Sequence, residues 1–142
     1  MNQIILFISF FVASNAFAQE PSHKRYDSYP DPKRFYSEIS SKLSENPFIK
    51  SDKDLIVFTG SSSIRFWGSL TEDFKEYDVL NRGFGGSIFS DLNFYMEELV
   101  LKHNPDMVVI YEGDNDVATE IPLEDIFTDF KTSFVKVRSS SE

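Results

Sequence analysis

A doubly wound α/β domain built on a parallel sheet is the fold class this sequence predicts, and three observations predict it. Apolar runs of strand length alternate along the chain with longer stretches whose apolar residues keep helical spacing. The clearest runs, Leu55 to Thr59 and Met107 to Tyr111, are continuous rather than alternating, as strands are when helices cover both faces of a sheet. Three runs also give out into short polar patches: Gly60-Ser61-Ser62-Ser63, Asn81-Arg82-Gly83-Phe84-Gly85-Gly86 and Glu112-Gly113-Asp114-Asn115-Asp116. A parallel sheet gathers such patches in the crevice at its carboxyl edge.

In chain order, residues 1–18 read as an export signal. Ile4 to Val12 is almost wholly apolar, and Ala16-Phe17-Ala18 puts small residues at both positions a signal peptidase reads, so cleavage is expected after Ala18. The stretch before the run departs from the pattern, because Met1-Asn2-Gln3 has no Lys or Arg. The run is well short of the ~20 residues a membrane span needs, and no later segment is a better candidate. Residues 19–31 form a polar lead-in containing Pro and Tyr. The domain proper is expected over residues 32–142, the size of one small α/β unit.

Asp31-Pro32 offers a helix N-cap followed by Pro at the first helical position, and Phe35, Ile39 and Leu43 continue at a spacing of four, which predicts a helix over 32–45. Asn46-Pro47 ends it. Leu55 to Thr59 is the first strand, Val79-Leu80 the core of a short second one, and Met107 to Tyr111 the third, set off by the break at Asn104-Pro105-Asp106. Leu92, Met96, Leu99 and Val100 place a helix within 87–102. Leu123, Ile126, Phe127, Phe130 and Phe134 place another over 122–137.

Composition narrows the function classes. The chain has no Cys, so an exported form gains no disulfide and depends on core burial. Fifteen Phe, six Tyr and one Trp supply an aromatic core and argue against disorder. A formal charge of −9, with no cluster of Lys and Arg, disfavours nucleic acid as a partner. Composition leaves the oligomeric state open.

Each patch supports a chemical reading and a plainer one. Ser61, Ser62 and Ser63 stand where a hydroxyl is presented at the sheet edge and helix N–H groups face developing negative charge, yet a Ser-rich turn into a helix equally fits an N-cap. The turn is not the Gly-x-Ser-x-Gly elbow, because Ile64 stands at the second Gly, and it is not a Walker loop, because no Gly-Lys pair follows. Gly83, Gly85 and Gly86 allow positive φ and close approach of a ligand to backbone amides, or simply make a tight turn. Ile88 stands where a dinucleotide fingerprint needs its third Gly. Asn115 offers a side-chain amide to the same crevice, although Asp-Asn-Asp is also common loop chemistry. Asp114 and Asp116 without a third oxygen-rich cluster make a poor metal site.

Together, in this order, the patches resemble blocks I, II and III of the SGNH hydrolases, also called GDSL esterases or lipases. The resemblance covers about residues 32–137. Phe-Thr-Gly-Ser-Ser-Ser-Ile-Arg-Phe-Trp from Phe58 and Val-Ile-Tyr-Glu-Gly-Asp-Asn-Asp from Val109 are similar to an exported bacterial branch of that family. The resemblance implies a three-layer α/β/α, flavodoxin-like fold. It makes Ser62 the nucleophile, with Ser61 in place of the usual Asp, and it makes the Gly86 amide and the Asn115 side chain oxyanion donors. Arg65, Trp67 and Asp116 are further candidates to line the pocket, with packing or surface roles as the alternative. Acyl or acetyl esters of small molecules or glycans are the substrates implied, with no metal or organic cofactor.

The family's fourth block, an Asp-x-x-His segment carrying the general base, has no match. His23 falls in the lead-in, and His103 precedes the third strand, which puts it at the end of the sheet away from Ser62. The expectation is an amino-terminal portion of a longer hydrolase, exported to the periplasm or beyond and inactive or nearly so by itself. Its third strand is then expected to be an unpaired apolar edge. The alternative is a non-catalytic binding module that keeps the crevice without the base. A nucleotide-binding domain is disfavoured by the glycine pattern.

Overall fold

In the computed structural model, residues 3–6, 29–45, 48 and 51–140 are described. Strand β1 (Gln3–Leu6) comes first, and helix α1 (Tyr36–Glu45) follows a 3-10 turn over Pro32–Phe35. The Asp31 carboxylate accepts from the Lys33 amide at 2.9 Å, so the expected cap is made, on a 3-10 turn that then relaxes into α-helix. Strand β2 (Leu55–Gly60) leads through two short helices, α2 (Ser62–Arg65) and α3 (Leu70–Asp73), to β3 (Asp78–Gly83). Helix α4 (Phe89–Leu99) precedes β4 (Met107–Tyr111), and the chain continues through α5 (Asp114–Ala118) and α6 (Leu123–Ser139).

The sheet order is β1-β4-β2-β3 and every pairing is parallel. Two cores lie on its two faces. Leu55, Val57, Leu80, Val108 and Ile110 pack with Ile39, Phe84, Leu92, Met96, Leu99 and Ile126 under α1, α4 and α6. On the other face Ile56, Phe58 and Val109 meet Ile64 and Leu70, and the Phe74 ring lies 4.8 Å from that of Phe58. Because alternate residues of β2 serve opposite cores, all six are buried, which explains their continuous apolar pattern. The architecture is the three-layer α/β/α sandwich that the sequence implies, its second helical layer formed, among the described residues, by α2 and α3.

The edge of β4 differs from expectation. It is not bare: Gln3, Ile4, Ile5 and Leu6 pair with Met107, Val108, Val109 and Ile110. Four residues of the expected export signal thus satisfy the backbone groups that an edge strand exposes. The rest of residues 1–18, the lead-in up to residue 28, His23 and the Asn46-Pro47 break lie outside the described residues. Among the described residues no helix is long and apolar enough to cross a membrane.

Candidate active site

The register of the sheet levels three strand ends. Gly60 is paired with Gly83 on one side and with Tyr111 on the other, so the segments after β2, β3 and β4 leave the sheet from one row. Gly60 makes this close. It has φ +117°, and a Cβ there would stand 1.9 Å from the Tyr111 carbonyl oxygen, so only glycine lets the two strands meet at that point. The Ser61 amide then donates to Tyr111 O at 3.0 Å and the Phe84 amide to Gly60 O at 2.9 Å, stitching all three segments together.

Ser62 opens α2 and is half-buried. No hydrogen bond among the described residues engages its hydroxyl. Ser61, which replaces the expected Asp, is fully buried, and its hydroxyl lies 3.4 Å from the Asp114 carboxylate. Asn81 fixes the turn from behind, its side-chain amide donating to Ile64 O at 2.6 Å while its carbonyl oxygen accepts from the Gly83 amide at 3.1 Å. A Cβ on Gly83 would fall 2.5 Å from the Arg65 amide, so a bare backbone is what lets α2 cross here.

Gly86 has φ +73° and lies exposed with open space beside it, which leaves its amide accessible. The glycine turn is gripped from two directions. The Asn115 side chain donates to Ser87 O at 2.8 Å, and both Asp116 carboxylate oxygens accept from the Phe89 amide, at 3.1 and 3.2 Å. Glu38 of α1 accepts from the Gly85 amide at 3.4 Å and from Arg65 at 3.0 Å, linking the glycine turn to α2. One Asn115 N–H is therefore occupied, and the second makes no hydrogen bond among the described residues.

The electrostatics of this edge are acidic and dry. Glu112 is 2 % exposed and neither carboxylate oxygen reaches hydrogen-bond geometry with a partner, although the Ser87 hydroxyl lies near enough to stabilise its charge. Burial pushes its pKa well above the ordinary carboxylate value, and the charges of Asp116, Asp114 and Asp91 add to the effect. Asp116 is pushed up to about 6, again mainly by burial and against the pull of the Phe89 amide. Asp91 is raised by the same cause despite its ion pair with Arg34.

His103 sits as its place in the sequence implied. It closes a 3-10 turn ahead of β4, packs on the Phe48 ring at 6.2 Å, and is held near pKa 4 by burial and by the charges of Arg82 and Lys102. It is neutral at physiological pH, and it precedes a strand whose far end carries the crevice. Trp67 turns from the crevice to pack on Phe58 and Phe74, with its indole N–H bound to Asp73. Asp116 is a buried clamp rather than a pocket wall. Ser87, Glu112, Asn81 and Glu38 were not singled out as site residues by sequence reasoning. Asn81 and Glu112 lie inside the polar patches and Ser87 directly follows one, which is the signal that could have found them; Glu38, on α1, carries none. Among the described residues no group of acidic or His side chains could hold a metal ion.

No family model matches the chain, and no curated protein matches it closely. Solved structures do. The chain is similar to a lipolytic protein of the G-D-S-L family from Desulfitobacterium hafniense, at 24 % identity with TM-score 0.56, over 61 % of this chain and 54 % of that one. An acetyl xylan esterase matches at 25 % identity with TM-score 0.54, over 61 % of this chain and 53 % of that one. A GDSL-like lipase from Bacteroides thetaiotaomicron matches at 20 % identity with TM-score 0.57, over 78 % of this chain and 54 % of that one. The chain spans about half the length of these structures. With its parallel three-layer sandwich and three ordered polar blocks at the ends of β2, β3 and β4, it has the fold of the SGNH, or GDSL, hydrolases.

Proposed function

We propose that this chain carries the nucleophile and oxyanion-binding half of an exported serine ester hydrolase acting on acyl or acetyl esters. The observation that supports it best is the common row of Gly60, Gly83 and Tyr111, from which Ser62, Gly86 and Asn115 all depart. In this reading Ser62 Oγ attacks the ester carbonyl carbon and gives up its proton to a base. The carbonyl oxygen takes the negative charge and is held by the amides of Ser62 and Gly86 and by the free N–H of Asn115. Collapse expels the alcohol, which takes the proton, and water then releases the acyl group from Ser62. Donors fixed before the reaction usually make the largest contribution to such catalysis. The clamps on Ser87 and Phe89 supply that fixity here. Trp67 and Asp116 have structural work of their own; Arg65, whose side chain stays 41 % exposed beside its ion pair with Glu38, is the candidate for contact with substrate.

We assign the base to the His of an Asp-x-x-His segment, as the family resemblance implies; no such segment occurs in this sequence, and His103 belongs to the opposite end of β4. A serine site without its His loses on the order of a millionfold in turnover, so this chain alone hydrolyses esters at close to the background rate. The test compares a longer protein that includes an Asp-x-x-His segment with its Ser62→Ala variant on short p-nitrophenyl esters. Loss of turnover in the variant is expected, and equal rates would remove Ser62 as nucleophile. A second reading, a binding module without catalysis, draws on the unengaged Ser62 hydroxyl. It prevails if the coding region ends without such a segment while the chain still binds an acyl ester at equilibrium. Export is proposed on residues 1–18 and is checked by amino-terminal sequencing of the secreted protein, which should begin at Gln19.

A further inference from the structure

Two glycines of the turn after β3 make room for one arginine. The main chain of Arg65 lies against Gly83, and a Cβ on Gly85 would stand 2.7 Å from Arg65 Nη1. Gly85 has no positive φ, so its backbone does not call for glycine, and the three atoms a Cβ would meet first all belong to the Arg65 side chain. The bare Cα is a channel for a guanidinium. Through it Arg65 crosses the carboxyl edge of the sheet, from α2 in one helical layer to α1 in the other, and pairs with Glu38 Oε1 at 3.0 Å.

The same carboxylate oxygen accepts from the Gly85 amide at 3.4 Å, so one atom joins the helix that carries Ser62 to the peptide that precedes Gly86. Among the described residues no other hydrogen bond or ion pair joins α2 to Gly85 or Gly86. Asn81 secures α2 only as far as Gly83, and Asn115 and Asp116 take hold from Ser87 onward. Gly85 and Gly86 lie between these two holds. An ion pair whose side chains are 41 % and 28 % exposed adds little to folding stability. Its effect is on place, and a displacement of about 1 Å at a reacting site can cost about a hundredfold in rate. We propose that Glu38 is a positioning residue of this site, acting through Arg65 and the Gly85 amide to fix the Gly86 N–H at its distance from Ser62. This role rests on Ser62 being the nucleophile and Gly86 an oxyanion donor.

In the chain of 142 residues, Glu38→Ala should speed amide hydrogen exchange at Gly85 about tenfold or more and displace the Gly86 amide resonance, while exchange at Phe84, whose amide is bonded to Gly60 O, stays as it was. The melting temperature should fall by no more than about 4 °C. Gly85→Ala should displace the Gly86 resonance likewise, because its methyl pushes the flexible end of Arg65 off Glu38 and leaves both charges in place. In the longer protein with an Asp-x-x-His segment, each variant should lower kcat on short p-nitrophenyl esters about tenfold with KM within about twofold. Glu38→Gln, which keeps an acceptor, should recover most of the rate. The two alanine substitutions combined should cost no more than either alone, since both break one bridge. Gly85 exchange and a Gly86 resonance indifferent to Glu38→Ala would overturn the proposal, and so would a kcat held at the parent level while Ser62→Ala is inactive. A large fall in melting temperature, with kcat and KM both degraded, would make Glu38 a structural residue and overturn it as well. Full activity of Ser62→Ala is the separate outcome that removes the nucleophile and, with it, the site Glu38 serves.

Discussion

Replacing Gly60 by alanine tests the row of strand ends directly. The added methyl would stand 1.9 Å from Tyr111 O and 2.7 Å from its carbonyl carbon, both backbone atoms that cannot swing aside. At φ +117° an L-residue also carries backbone strain of about 1 to 3 kcal/mol. Moving Tyr111 away breaks the bond from the Ser61 amide, and a buried donor left unpaired costs about 1 to 3 kcal/mol more. Together these reach about 2 to 6 kcal/mol, a large part of the stability of a small domain. Thermal and urea unfolding of Gly60→Ala should therefore show a melting temperature lower by roughly 10 °C or more, if the variant folds at all. Gly86→Ala is the matched control. It meets nothing within 4 Å and has φ +73°, so it should lose only about 1 to 2 kcal/mol of backbone strain. Equal stability of Gly60→Ala and the parent would refute the close meeting of β2 and β4, and with it the convergence of the three blocks.

Three further outcomes follow from the buried carboxyls and the core. Asp116 titrates at about 6 in the fold against 3.8 in the unfolded chain, so the folded state holds its proton more tightly; stability is greatest below pH 4 for this group and falls as pH rises through 6, by about 3 kcal/mol. Glu112 and Asp91 act in the same direction. Asp116→Asn, which keeps an acceptor for the Phe89 amide, should flatten the fall in melting temperature between pH 4 and 7, and an unchanged slope would count against the assignment. Arg34→Met removes the partner of buried Asp91 and should destabilise more at pH 7 than at pH 4.5, as denaturant midpoints at the two pH values will show. Leu92→Ala empties a fully buried position under the sheet and should cost about 2 to 5 kcal/mol in urea unfolding.

What the sequence made legible depended on how each residue is buried. β2 and β4 could be read because sheets covered on both faces leave uninterrupted apolar runs. β3 could be read only at Val79 and Leu80, since Asp78, Asn81, Arg82 and Gly83 owe their extended form to pairing with β2 and carry no strand signal. α2, α3 and α5 span four or five residues, too few to display a period. The three blocks stood out because each ends a strand. Their bracing did not: an orphaned buried Glu112 runs against the usual habit of its residue type, and Glu38 reaches the glycine turn from a helix distant in sequence. Gln3 to Leu6 read as part of a signal because the same apolar residues satisfy a signal peptidase pattern and a sheet edge alike.

That doubled use of the first residues bears on the order of events in the cell. The partner of Gln3 is Met107, so the outermost pairing waits until residue 107 has left the ribosome, and until then the segment is free for any translocation machinery. If a peptidase cuts behind Ala18, the matured molecule has three strands in place of four. The strand that leads into Asn115 then becomes its rim, with Met107 to Ile110 open to the next segment that can hydrogen-bond there.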